Sequence, residues 1–272
     1  MIGKIAQHEG WSRRISEGIL LSYAQLFFSQ RKALAIILLL VSFIDGLAGL
    51  SGLIAIIVTL AAAEVMGLDR EGIRTGMYSF NSLSVGLCLG TYYQFNAAYL
   101  SILICSALLC LLFTVWLFGS LSAKGLPFLS FPFIFSVWLI LLAARSYGDL
   151  LLSERGLYTY NDLYAFGGQG FVDAIMNFET MSIPGHLDVY FKSVGAIFFQ
   201  YSLTVGILAS FALLIYSRIA FSLSLLGFYT GYLFYSTVGG NITELTYSYI
   251  GFNFILSAIA IGGFFLIPST GS

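Results

Sequence analysis

ALAIILLLVSFIDGLAGLSGLIAIIVTLAAA, residues 33–63, carries one ionisable side chain, Asp45, in an otherwise apolar run. As one helix it would reach roughly 46 Å at 1.5 Å per residue, well beyond a hydrocarbon core of about 30 Å. The stretch therefore predicts two membrane segments broken near Asp45-Gly46, and with them an all-α polytopic membrane protein. Gly46, Gly49 and Gly52 add the small-residue spacing of tight helix packing in lipid.

The composition agrees. A chain of 272 residues that is 58% hydrophobic and 9% charged has too few ionised side chains to solvate the surface of a soluble globule. A net charge of -1 without a block of like charge gives no footprint for nucleic acid. Residues 1–30 lack the basic region, apolar core and small-residue cleavage site of a signal peptide, so insertion is expected to rely on the mature helices. Cys88, Cys105 and Cys110 all lie in apolar runs and are odd in number, which reads as packing and not as a disulfide framework.

Further apolar segments run from about Thr75 to Tyr92, Ala97 to Phe118, Leu126 to Ala144, Tyr201 to Tyr216, Ile219 to Val238 and about Thr246 to Ile267. Gly239-Gly240-Asn241 supplies a turn signal between the last two. From Arg145 to Ser182 charge returns, with Arg145, Asp149, Glu154, Arg155, Asp162, Asp173 and Glu179 beside Gly167, Gly168 and Gly170. The expected organisation is a first transmembrane repeat over 1–146, an extramembrane connection over 147–182 and a second repeat over 183–272. Lys and Arg are scattered over several loops, so no orientation follows from them.

Two apolar segments are too short to cross. Ile19 to Phe28 reads ILLSYAQLFF, and Tyr190 to Phe199 reads YFKSVGAIFF. About ten residues suit a re-entrant helix or an amphipathic surface helix. Laid together they pair Ser22 with Ser193, Ala24 with Gly195, Phe27 with Phe198 and Phe28 with Phe199, 171 positions apart. MYSFNSLSVGLCLG from Met77 and YIGFNFILSAIAIG from Tyr249 pair Phe80-Asn81 with Phe252-Asn253, and Gly90 with Gly262, 172 positions apart. Such a repeat places a solute path where short or broken helices of the two halves meet. The same phenylalanines also fit plain packing in a chain that is 17% aromatic.

In these residues the chain resembles the urea transporters. AQLFFSQ from Ala24 is similar to the family's first pore-helix motif, and DREGIRTGMYSFNSLSVGLCLG from Asp69 to its charged loop and following helix. GLPFLSFPF from Gly125 resembles the signature in which Leu-Pro and Pro-Phe flank a threonine, and SVGAIFFQ and SYIGFNFILSAIAIGGFF resemble the matching elements of the second half. The resemblance implies two inverted repeats with re-entrant pore helices around a narrow pore, assembled as a homotrimer in the plasma membrane, or in the inner membrane of a bacterium. It implies passive, channel-like passage of urea or a close neutral analogue, without cofactor or metal. By position it assigns the pathway to Gln25, Leu26, Phe28, Phe80, Ser84, Ser130, Ile197, Phe199, Phe252 and Leu256.

The chemistry suits the solute. Urea is flat, neutral and polar, so a dry pore must replace several hydrogen bonds or incur several kcal/mol. A slot between rings selects flatness, while the Gln25 amide, the Ser130 hydroxyl and carbonyls freed at helix breaks accept from N–H groups. Breaks in the membrane are tolerated where they line a cavity or are buried, which fits Pro127 and Pro132 around Ser130. A back-bond from Ser130 to its own helix is the plainer alternative.

Three departures stand against the family pattern. The central hydroxyl is Ser130 instead of threonine, and Ala196 stands where the family commonly carries glutamate or glutamine, opposite Gln25 in the repeat; Ser84, likewise, replaces a commonly apolar residue. A second Leu-Pro and Pro-Phe element would fall near position 297, so the second repeat is expected to be truncated, either in a fragment or in a divergent member.

Other functions fit less well. Asp45, Glu64, Asp69, Glu71, His8 and His186 form no metal-ligand spacing such as H-E-x-x-H, which argues against an enzyme. Asp45 is expected to cap a hairpin and Asp69 to Arg74 to form a solvated turn. The alternative transport reading, an ion-coupled or ammonium and amide transporter, calls for an ionisable residue in the middle of a span.

Overall fold

A computed structural model describes residues 10–153, 158–238 and 251–265. His8, Glu154, Arg155, the Gly239-Gly240-Asn241 turn and both ends of the segment from Thr246 to Ile267 lie outside them. The described elements are helical: α1 (Trp11–Gln25), α2 (Lys32–Ser42), α3 (Gly46–Val65), α4 (Arg70–Arg74), α5 (Phe80–Tyr92), α6 (Ala97–Ser122), α7 (Phe131–Ala144), α8 (Tyr158–Glu179), α9 (Gly185–Gly195), α10 (Leu203–Tyr216), α11 (Arg218–Thr237) and α12 (Gly251–Ile259). A 3₁₀ turn, Ala196–Phe198, extends α9, and a π turn, Ala260–Phe265, extends α12.

Among the described residues α3, α6 and α11 are long and apolar enough to cross a membrane singly. The expected break at Asp45 falls between α2 and α3. The other apolar segments are trimmed where backbone geometry forbids helix. Gly76 (φ 75°) turns the chain, so the segment from Thr75 is helical only from Phe80, and Leu129 (φ 45°) delays α7 to Phe131. The two short apolar segments sit in longer helices that start in polar sequence, at Trp11 and at Gly185. The charged connection holds α8, which is interrupted at Gly168 (φ 69°, ψ -171°).

The chain forms two compact units. The first, Met1–Gln25 with Leu47–Ser153, contains α1 and α3 to α7. In it α3 and α5 cross closely, where a Cβ on Gly86 would collide with the Ser51 carbonyl, so the backbones touch. Helices in lipid gain little from leaving a solvent as apolar as themselves, and close packing with interhelical hydrogen bonds must hold them. Tyr99 donates to the Ser51 Oγ at 2.6 Å inside this core. Asp69 to Arg74 exposes Asp69, Arg70 and Glu71, as a solvated turn would, but it is the short helix α4: Asp69 accepts from the Gly72 N–H at 2.8 Å to cap it, and Ile73 is buried against α1. Glu17, buried in α1, pairs with Arg74 at 3.4 Å and with Arg13 at 3.4 Å, and Arg14 reaches Glu64 of α3 at 2.6 Å.

The second unit, Leu26–Gly46 with Glu154–Ser272, contains α2 and α8 to α12. In it α9 crosses α10 closely, where Gly206 lies against the Phe191 carbonyl with no room for a Cβ. α2 packs on α10, and α11 on α12. Leu163, Val172 and Ile175 seat α8 against Ile44.

Several elements recur along the chain. α2 and α10 begin 171 positions apart, α3 and α11 are both 20 residues long and begin 172 apart, and α5 and α12 begin 171 apart. Ser22 and Ser79 share a buried hydrogen bond of 2.6 Å, and the corresponding Ser193 lies against Gly251.

Candidate functional site

Two backbone turns organise the candidate site. The chain leaves α1 through Phe28 (φ 53°) and leaves α9 through Phe199 (φ 59°), both left-handed, and these residues are 171 positions apart. A side-chain-bearing residue in this region costs about 1–2 kcal/mol, and the surrounding structure must hold it there. After Phe199 the chain bends by 86° into α10. Phe27 and Phe198, the residues just before, are buried and their ring centroids lie 6.2 Å apart.

In the first unit Gln25 ends α1 and is half-buried, donating from Nε2 to the Thr75 carbonyl at 3.3 Å. That bond occupies one amide N–H and leaves the amide oxygen as an acceptor. On α5, every residue from Phe80 to Thr91 is buried except Phe80 and Ser84, one turn apart on one face. Their half-exposure opens a narrow stripe in an otherwise closed helix. The Ser84 Oγ donates to the Phe80 carbonyl at 3.2 Å, and the Phe80 ring lies 6.0 Å from that of Phe128. Asn81 donates from Nδ2 to the Leu129 carbonyl at 3.0 Å, which ties the chain break to the start of α5. Ser130, the next residue, is the N-cap of α7; it is exposed and makes no side-chain cap bond. It stands before the helix, so the back-bond considered as its plainer role is not what holds it.

In the second unit Leu26 and Ile197 are buried, whereas Phe28 and Phe199 stay half-exposed. On α12, Phe252 and Leu256 are half-buried, one turn apart, as Phe80 and Ser84 are on α5. Within each unit the structure thus brings together Phe80 with Ser84 and, through Asn81 and Leu129, Ser130; and Phe28 with Phe199 through the Phe27–Phe198 pair. Ala196, the counterpart of Gln25, is buried and offers only a methyl.

Some contributors escaped the sequence reading. Glu17 and Arg74 are 57 positions apart, and no local spacing announces their pairing. Glu179 lies in the connection, yet its carboxylate accepts from Ser202, Leu203 and Thr204 at the start of α10. Burial raises the pKa of Glu179, but these hydrogen bonds outweigh it and hold the carboxyl below its ordinary value. The one sequence signal was an acid ahead of Ser202, a residue type favoured at helix N-caps.

A family model described as urea transporter matches residues 17–272. No curated protein matches the chain.

Proposed function

We propose, because this chain belongs to the urea transporter family, that it carries urea across its membrane passively, through a narrow channel-like path lined by aromatic rings. Family membership, with the apolar helices, supports a multi-pass membrane protein whose task is urea transport. The observation that carries the finer reading is the stripe of Phe80 and Ser84, the two half-open positions on a buried helix, with Phe252 and Leu256 spaced alike on α12.

The pathway comprises Gln25, Leu26, Phe28, Phe80, Ser84, Ser130, Ile197, Phe199, Phe252 and Leu256. Rings at Phe28, Phe80, Phe199 and Phe252 pass a flat solute and offer faces to its N–H edges. The Gln25 oxygen and the Ser130 hydroxyl replace part of the water that urea sheds, each hydrogen bond offsetting a desolvation cost of about 1–3 kcal/mol. None of these side chains titrates in the physiological range, so passage needs no proton or ion from them. The two copies are inverted repeats, with α1 and α9 as re-entrant pore helices; the recurrence at 171 and 172 positions and the contact of Phe27 with its counterpart Phe198 support this. The working form is a homotrimer in the plasma membrane, or the inner membrane of a bacterium.

Stopped-flow measurement on liposomes containing the purified chain tests the reading. Urea should equilibrate far faster than through empty liposomes, at a rate independent of ion gradients and membrane potential. Permeability equal to that of empty liposomes overturns transport by this chain, and uptake that collapses with the potential overturns the passive mechanism.

A further inference from the structure

We infer that Glu179 is a positioning residue for Phe199: from the connection between the repeats, its carboxylate fixes the start of α10 and so holds the turn that presents the Phe199 ring. The inference rests on the reading of Phe199 as part of the urea pathway.

The first N–H groups of a helix have no partner within it, and a negative charge there is favoured by the helix dipole. At α10 these donors are accounted for one by one. Leu203 N–H donates to Glu179 Oε2 at 3.2 Å, Thr204 N–H to Oε1 at 2.9 Å, and Val205 N–H to the Ser202 Oγ at 3.3 Å. The hydroxyls of Ser202 and Thr204 also donate to Glu179 Oε1, at 2.5 and 2.8 Å. One side chain thus gathers Ser202, Leu203 and Thr204 into a single cluster.

Only Gln200 and Tyr201 separate that cluster from Phe199. On the other side of the turn, Phe199 N–H donates to the Ala196 carbonyl at 2.9 Å, and Gln200 N–H to the Gly195 carbonyl at 3.2 Å. The buried Gln200 Nε2 donates to the Ser42 carbonyl of α2 at 2.7 Å. The left-handed residue is therefore gripped from both flanks, and the grip downstream is Glu179. Helix formation alone does not demand it, because Ser202 already caps α10, and the counterpart α2 forms behind Arg31 with no side-chain cap bond. The hydrogen bonds that hold the Glu179 carboxyl below its ordinary value favour its charged form, the form that accepts from all these donors.

The test uses the whole chain as Glu179→Ala, Glu179→Gln and Glu179→Asp. Hydrogen exchange of the amides from Gln200 to Val205 reports the tie, and the ratio of urea to thiourea permeability in liposomes reports the ring. Glu179→Ala and Glu179→Gln should speed exchange by about tenfold or more in this segment and shift the ratio, with Glu179→Asp restoring part of both. Faster exchange with an unchanged ratio overturns the positioning role and leaves Glu179 a helix cap. Unchanged exchange overturns the tie itself. If the unaltered chain moves no urea, the pathway reading fails, and with it the inference for Phe199, while the exchange result still decides whether the tie exists. Should Glu179→Ala fail to fold, Glu179→Gln, which keeps the shape and one acceptor, supplies both readings.

Discussion

The turns at Phe28 and Phe199 trace the same left-handed backbone but are held differently. Around Phe199 the chain is gripped by Gln200 on the Ser42 carbonyl and by Glu179 on three successive residues. Around Phe28, the Ser29 Oγ accepts from the Arg31 N–H at 3.3 Å in an exposed segment, and α2 begins with no side-chain cap. Local sequence sets the path, since SYAQLFF and SVGAIFF bring two phenylalanines to the same place. Distant residues add ties at Phe199, through Glu179 and Ser42.

The strongest way to break that comparison is to remove the rings the turns share. Phe198→Ala and Phe27→Ala each empty a buried site and should cost roughly 3–5 kcal/mol. If the rings act as a pair, the double variant should cost less than the two together, by about 0.5–1.5 kcal/mol. Thermal unfolding in detergent measures this. Strict additivity would mean that the turns are held independently.

A somewhat smaller effect is expected where α9 meets α10. Gly206→Leu forces a side chain into the Phe191 carbonyl, and overpacking of this kind costs about 1–3 kcal/mol or more. The counterpart position, Ala35, already carries a Cβ and is buried, so Ala35→Gly should be milder. Yield of monodisperse protein distinguishes the two. Equal losses would show that the second turn owes nothing special to this close crossing.

The asparagines sharpen the contrast further along. Asn81 is buried and donates to the Leu129 carbonyl, whereas Asn253, its counterpart, is exposed. Asn81→Leu should therefore destabilise by about 1–3 kcal/mol by leaving the carbonyl unpartnered, and Asn253→Leu by no more than about 0.5 kcal/mol. Comparable melting shifts would contradict the difference in their surroundings.

Much of this was legible in the sequence. The break at Asp45, the segments too short to cross and the pairing of Phe27-Phe28 with Phe198-Phe199 follow from residue types and spacing, because lipid leaves helices few other options. Segment ends were not legible, since they depend on Gly76 and Leu129 adopting left-handed backbone, and leucine gives no hint of that. Nor was the split between open and closed site residues. Leu26 and Phe28 are both apolar and neighbours but one, and only packing decides that Leu26 is buried while Phe28 stays half-open. Glu179 read only as one of the charges of the connection, and Glu17 drew no reading at all, because each has partners far along the chain.

The smallest effect is a dependence on pH that separates the two turns. The Glu179 carboxyl is held below its ordinary value, so folding is coupled to its ionised form. The stability it adds is fully present above the ordinary carboxylate range and is lost as pH falls through its lower folded value, because the protonated acid no longer attracts four donors. The group is half-exposed, which limits the contribution to less than about 1 kcal/mol after solvent screening. Melting temperature should therefore hold level from neutral to mildly acidic pH and fall in stronger acid, with Glu179→Gln reducing the acid-side loss. Hydrogen exchange in the same titration should quicken between Gln200 and Val205 before it does around Phe28. Acid loosening both turns together would mean that the grip on Phe199 is not carried by Glu179.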